Sequence, residues 1–252
     1  MSMRTILGGP ITEYEREEAR QIQLSLLPAS ALSGRSYEIA YRFSPFAGVG
    51  GDFADFFALP DGELGLYMGD VVGKGLSAAL YAALVMGLLR GIHKTGMDPA
   101  AALALLNKRM LVRPVTGRFA ATLYGLFDPG TGKLVFSNAG LPLPLLISES
   151  GCTTLGEGGL PSGMFPYATY ESYSAELSPG TAVLFATDGL HELRDRDNED
   201  FGRERLMQIW QLCRHKSADE LLGSLFEEAR SFCEGGSEQL DDITAVILKI
   251  PG

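Results

Sequence analysis

The stretch from Gly48 to Arg90, GVGGDFADFFALPDGELGLYMGDVVGKGLSAALYAALVMGLLR, constrains the fold more than any other part of the chain. Two apolar runs flank Leu59-Pro60-Asp61-Gly62-Glu63. Pro presets one backbone dihedral and Gly accepts the positive φ of a tight reversal, so these five residues predict a hairpin turn. With Asp61 at its centre, cross-strand partners are those whose numbers sum to 122, and Asp52 and Asp70 face each other at the open end. Two ionised carboxylates that close repel each other unless one is protonated or a cation lies between them. Gly50, Gly51 and Gly69 leave room beside them. The pattern predicts half of a metal site.

Upstream, Met1 to Pro10 reads as a loose leader, and Ile11 to Leu27 as a helix ended by Pro28. Ile11, Tyr14, Ala19, Ile22 and Leu26 give that helix an imperfect apolar stripe. The stripe fits a helix lying on its own domain and equally a connecting helix that pairs two copies of the chain. The division expected is a leader and linker helix over 1–28 and one domain over 29–252. Ser36 to Phe46 alternates as a strand does. After Asp70, the run Val71-Val72-Gly73-Lys74-Gly75 breaks the second hairpin strand and opens a helix apolar nearly all round, which predicts burial on most faces.

Asp98-Pro99 supplies an N-cap and first position for a helix over Ala100 to Met110. Phe119–Phe127, Lys133–Asn138, Leu143–Ile147, Glu171–Leu177 and Thr181–Ala186 are strand-like, and the last is followed closely by Asp188. Phe201–Arg214 is helical. A second helix follows, with Ser217 and Glu220 as its capping box and Ala218, Leu221, Leu222, Leu225, Phe226 and Ala229 as its apolar face. Asp241-Asp242 leads into a closing strand, Ile243–Ile250. Many antiparallel strands with helices in pairs predict an α+β fold, a β-sandwich of two antiparallel sheets flanked by helices.

A length of 252 residues at 46% hydrophobic content permits a sizeable core. The net charge of −10 argues against nucleic acid or an anionic membrane as the main partner. Cys152, Cys213 and Cys233 are scattered and odd in number, as in a reducing compartment without disulfides. The longest apolar helix candidate, Leu76 to Leu89, is too short to span a bilayer, and a cytoplasmic protein is expected.

Acids recur at strand ends: Asp52, Asp70, Asp188, and Asp241 or Asp242. Strand ends on one rim of a sandwich can converge, and carboxylates without histidine or thiolate favour Mg²⁺ or Mn²⁺. Competing motifs are weaker. Gly69 to Gly75 has Gly75 where a P-loop needs Ser or Thr, and its spacing is one residue short. Asp195 to Asp200 lacks the glycine and terminal glutamate of a calcium loop, and reads as a solvated loop near the site mouth. His93, His191 and His215 are too dispersed for zinc, and the cysteines have no evident base partner.

Val49-Gly50-Gly51-Asp52, Gly69-Asp70-Val71-Val72-Gly73-Lys74-Gly75, Thr187-Asp188-Gly189-Leu190 and Asp241-Asp242-Ile243-Thr244 stand in an order that resembles the SpoIIE/RsbU branch of the metal-dependent protein serine/threonine phosphatases, the PPM superfamily. Phe119-Ala120-Ala121-Thr122 and Ser137-Asn138-Ala139-Gly140 are similar to that family's middle blocks, and Ala19 to Pro28 to its lead-in helix. The resemblance covers about Glu17 to Ile250.

It implies a PPM-type sandwich and two Mn²⁺ or Mg²⁺ ions bridged by Asp70. Asp52 and the Val71 carbonyl would complete one ion, and Asp188 and Asp241 the other. These four acids would be the catalytic set, hydrolysing a phosphoserine or phosphothreonine by in-line attack of metal-activated hydroxide, without a phosphoenzyme. The implied partner is a phosphorylated regulatory protein, such as an anti-sigma-factor antagonist of the STAS type. Leu141 stands where the family usually has histidine. This departure keeps open a second reading, a catalytically weak relative that acts by binding in a partner-switching pathway. Arg42 is the nearest upstream arginine that could hold the phosphate.

Overall fold

The computed structural model describes residues 11–28, 31–46, 48–93, 96–195, 199–234 and 241–252, with the side chains of 233 and 234 excluded. The leader over 1–10, the centre of the Asp195–Asp200 loop and the Cys233 thiol lie outside the described residues. Helix α1 (Glu13–Leu26) is followed by strands β1 (Ala31–Ser33) and β2 (Glu38–Ser44). The predicted hairpin is β3 (Phe53–Ala58) and β4 (Leu64–Val71), and helices α2 (Leu76–Arg90) and α3 (Pro99–Met110) come next. Strands β5 (Ala120–Asp128), β6 (Lys133–Ala139), β7 (Leu145–Ser148), β8 (Gly151–Thr154), β9 (Tyr173–Glu176) and β10 (Thr181–Ala186) follow. The one-turn helix α4 (Asp188–His191), helices α5 (Gly202–Cys213) and α6 (Ala218–Glu234), and strand β11 (Ile243–Ile250) complete the order.

The strands form two antiparallel sheets, ordered β1-β2-β11-β10-β7-β8 and β3-β4-β5-β6-β9. Their facing surfaces share one core in which Val183, Phe185, Val246 and Leu248 meet Phe56, Leu66, Met68, Leu123 and Phe136. The opposite face of the β3–β9 sheet is covered by α2 and α3, through Val85, Leu89, Leu103 and Leu106 packed on Tyr67 and Tyr124. The other sheet is covered by α5 and α6, through Trp210, Leu222 and Leu225 packed on Leu184, Ala245 and Ile247. Alternation along each strand thus feeds two apolar layers, giving the expected α-β-β-α sandwich.

Local chemistry explains the element ends. Thr12 and Glu15 close a capping box on α1, Asp98 accepts from Ala100 N and Ala101 N on α3, and Ser217 and Glu220 cap α6 reciprocally. The hairpin pairs Phe53 with Gly69 and Ala58 with Leu64, the register centred on Asp61, with Gly62 at φ +94 in the turn.

Some features go beyond the sequence reading. Strands β1 and β8 are too short to show a period. Helix α2 is buried on most faces, as expected, and leaves one stripe, with Leu80 and Leu84, exposed. The α1 stripe does not lie wholly on its own domain, because Ile11, Tyr14 and Ile22 face outward while Gln23 and Leu27 are buried. Among the described residues no helix is long and apolar enough to cross a membrane.

Candidate metal centre at the sandwich rim

Antiparallel pairing puts the start of β3 and the end of β4 on one edge of their sheet, and the end of β10 and start of β11 on one edge of the other. The sandwich stacks these edges. Asp52 immediately precedes β3, Asp70 is the penultimate residue of β4, Asp188 opens α4 just beyond β10, and Asp241 stands two residues before β11. A direct bond joins the sheets: Thr187 Oγ1 donates to Asp52 Oδ2 at 2.8 Å. As expected, β10 stops at Ala186 with Asp188 just beyond it, and the acid begins a helical turn whose N-cap position is Thr187.

The electrostatics show that the acids share one field. Asp52 is buried (1% exposed), and its carboxyl is held well above the usual range, first by burial and then by Asp70 and Asp242. Asp70 is pushed up to about 7 by burial, followed by the charges of Asp188 and Asp241. Asp52 and Asp70 therefore cannot both ionise cheaply without a cation. Lys74 Nζ lies 2.8 Å from Asp241 Oδ2 and 5.3 Å from the centroid of the Phe46 ring.

The pair Asp241-Asp242 divides its work. Asp242 Oδ1 accepts from Phe46 N and its Oδ2 from Gly51 N, each at 2.8 Å, so both oxygens serve the backbone. Asp241 is half-exposed and faces Lys74.

The glycines make room. A Cβ at Gly50 would lie 1.9 Å from Asp242 Oδ2, and one at Gly51 would lie 2.6 Å from the Val71 carbonyl oxygen and 3.2 Å from Asp70 Oδ1. The hollow over Gly51 is thus lined by the oxygens of Val71 and Asp70, a donor set suited to a hard divalent cation. Among the described residues no three His, Cys, Asp or Glu side chains stand together as a ready-formed metal cage. Four repelling carboxylates and a carbonyl fit an ion that draws them in.

Other sequence candidates fall elsewhere. Arg42 points to the outer face of its sheet and pairs with Asp219 of α6 at 2.9 Å, which removes it from the phosphate position. The arginine beside the rim is Arg118, unremarked in the sequence. Its Nη1 donates to the Val72 carbonyl and its Nη2 to Ser77 Oγ at 2.9 Å, bracing the turn after Asp70. No spacing motif announces it; the signal is the β4–β5 pairing of Val71 with Ala120. Leu141 is buried in the inter-sheet core and its N–H donates to Asn138 Oδ1 at 2.9 Å, so this position serves packing. Helix α1 also reaches the rim: Gln23 Nε2 donates to Gly50 O at 2.7 Å, and Gly50 N donates to Gln23 Oε1 at 3.1 Å.

A family model described as Stage II sporulation protein E (SpoIIE) matches residues 60–251. Protein IcfG of Synechocystis sp. is 30% identical over 264 residues, an alignment that takes in 94% of this chain and 41% of IcfG. Phosphoserine phosphatase RsbU of Bacillus subtilis is 24% identical over 249 residues, covering 98% of this chain and 67% of RsbU. Among solved structures, the SiaA-PP2C domain of Pseudomonas aeruginosa shares the fold, with a TM-score of 0.80 at 21% identity over 94% of this chain and 95% of that one. The chain thus spans less than half the length of IcfG and about two thirds of RsbU.

Proposed function

We propose, on the premise that this chain belongs to the SpoIIE family of PPM-type phosphatase domains, that it is a metal-dependent protein serine/threonine phosphatase. Its substrate would be a phosphoserine or phosphothreonine on a regulatory protein, a STAS-type anti-sigma-factor antagonist being the class the family resemblance implies. The observation that carries the reading is the convergence of Asp52, Asp70, Asp188 and Asp241 in one field at the sandwich rim.

Two Mn²⁺ or Mg²⁺ ions, when bound there, neutralise phosphoryl oxygens and bring the pKa of a water near neutrality. The chain's own part is to hold the donors. Asp70 would be the central ligand, Asp52 and the Val71 carbonyl would hold one ion, and Asp188 and Asp241 would hold the other. Thr187 fixes the Asp52 carboxylate, and Asp242 fixes the Gly51 and Phe46 backbone on either side. Lys74, bonded to Asp241, keeps a positive charge at the mouth where a dianionic phosphate enters.

The binding-module alternative drew on Leu141. That residue packs in the inter-sheet core, and all four predicted acids are present, which favours the enzyme. In this reading 1–28 forms a linker segment and 29–252 the catalytic domain. Tyr14 and Ile22 of α1, with Ile11 just before it, face outward and are available to pair with a second copy. A cytoplasmic setting accords with the free thiols Cys152 and Cys213.

The test is phosphate release from p-nitrophenyl phosphate and from a serine-phosphorylated STAS-domain protein, with Mn²⁺ and with chelator. Turnover is expected with Mn²⁺ alone, and Asp70→Asn is expected to reduce it to background. A near-wild-type rate in that variant would remove the central ligand and the mechanism with it.

A further inference from the structure

Beside the rim lies a surface whose chemistry differs from the rest of the chain. Between Asp98 and Asp128 the sequence has no carboxylate, yet it contains Lys108, Arg109, Arg113 and Arg118. Acids outnumber bases 31 to 21 over the whole chain, so this stretch departs from the average sign. Residues 112–117, the loop between α3 and β5, are all exposed; Val112 is 74% exposed and Val115 50%.

A second loop packs alongside. Asn107 of α3 accepts from Gly163 N at 2.7 Å and donates to Phe165 O at 3.0 Å. Ala120 and Ser162 exchange two backbone bonds at 2.9 and 2.8 Å. This loop is uncharged from Gly158 to Tyr170 and exposes Leu160, Met164 and Tyr167. Tyr167 is 70% exposed and stacks on Phe165 at a centroid distance of 5.2 Å. Large apolar side chains held in place yet open to water mark an interaction surface.

We infer that these two loops form the docking surface for the phosphorylated protein whose phosphate enters the acid rim, an inference that rests on the phosphatase reading above. Continuity and charge argue for this occupant. The surface runs into the rim through Arg118, which braces Val72 and Ser77, and through Phe119, whose carbonyl accepts from Val72 N at 3.2 Å. A phosphoprotein carries a dianion towards the rim, and exposed Lys108 and Arg113, with no carboxylate in the same stretch, attract it during approach. Another exposed apolar face, on α1, carries Glu13, Glu15, Glu17 and Glu18 and would repel the same partner.

The test uses the full chain with Mn²⁺ and three variants, Val112→Asp, Val112→Asp/Val115→Asp and Arg113→Glu. All three sites are exposed, and none belongs to the acid site. Steady-state rates are measured on p-nitrophenyl phosphate and on a serine-phosphorylated STAS-domain protein. For the phosphoprotein, kcat/KM is expected to fall about tenfold or more in the double variant, carried by KM, while the small ester stays within about twofold. Equal losses on both substrates, or no loss on either, would overturn the docking surface. Wild-type turnover of the ester without turnover of the STAS protein would overturn the occupant named here. Absence of turnover on both would instead overturn the phosphatase reading. Light scattering covers the remaining occupant: a change of molecular mass in the double variant would assign the patch to a second copy and refute the proposal.

Discussion

Asp241→Asn and Asp242→Asn should fail in opposite ways, because the structure gives these neighbours opposite surroundings. Asp242 is 5% exposed and accepts two backbone N–H groups, Phe46 N and Gly51 N, both at 2.8 Å. Asparagine keeps one acceptor and turns an NH₂ towards the other N–H, so one buried donor loses its partner. Hydrogen bonds to charged groups are worth about 1.5–3 kcal/mol each, and an orphaned buried donor costs a similar amount. Relief of repulsion with Asp52 offsets part of this. The net expectation for Asp242→Asn is a loss of about 2–3 kcal/mol.

Asp241 makes a half-exposed ion pair with Lys74, the kind that contributes about 0–1 kcal/mol. Urea denaturation in chelator should therefore leave Asp241→Asn within about 1 kcal/mol of wild type. Calorimetric titration with Mn²⁺ should rank them the other way, with the greater loss of affinity in Asp241→Asn. A stable Asp242→Asn that no longer binds Mn²⁺, beside a fully metal-competent Asp241→Asn, would refute both the ligand assignment and the structural role given to Asp242.

Two further outcomes follow from the same network. Gln23→Ala strips both partners from the Gly50 peptide groups, and urea unfolding should show a loss of about 2–3 kcal/mol; a change below about 0.5 kcal/mol would mean that water replaces the clamp. Asp70 has a folded pKa of about 7 against 3.8 unperturbed, so its protonated form favours the folded state. In chelator this contribution is fully present below about pH 4 and is lost as pH rises through about 7, at most about 4 kcal/mol. The difference in thermal midpoint between wild type and Asp70→Asn should follow that course with chelator and flatten with Mn²⁺; identical pH profiles for the two proteins would sink it.

What could be read from the sequence depended on how far apart the causes lie. The hairpin register was legible because one turn, Pro60-Asp61-Gly62, fixes every pair from Phe53 with Gly69 to Ala58 with Leu64. The caps at Asp98 and Ser217 were legible for the same reason, each being settled within three residues, whereas the Thr12 cap on α1 was passed over. The two antiparallel sheets followed from strand count and alternation, and the family blocks added the order of the acids. The three-residue β1 and four-residue β8 were not legible, since neither offers a period. Arg42 was misplaced and Arg118 overlooked, because strand alternation sends Arg42 outward to Asp219, while the β4–β5 pairing delivers Arg118 to the rim from 46 residues away. The outward turn of Ile22 beside buried Gln23 was likewise hidden, since a polar residue facing inward needs a partner that only the fold supplies.

That buried glutamine shows how the rim is tied to the rest of the chain. Gly50, Gly51 and Asp52 are consecutive, and each is held by a different element: Gln23 of α1 on Gly50, Asp242 on Gly51 N, and Thr187 on the Asp52 carboxylate. Gly51 O in turn accepts from Val71 N at 3.3 Å, next to Asp70. Both glycines are sterically required, because a Cβ at Gly50 would strike Asp242 Oδ2 and one at Gly51 would strike the Val71 carbonyl. At its far end, α1 is held again, where Arg90 bonds the Leu26 carbonyl and the Asp55 carboxylate together. A displacement of α1 therefore has to break these bonds or carry Gly50 with it, and Gly50 is two residues from the most buried acid of the site. The geometry of Asp52 is thus set jointly by both sheets and by α1, which reaches it through Gln23 and Gly50.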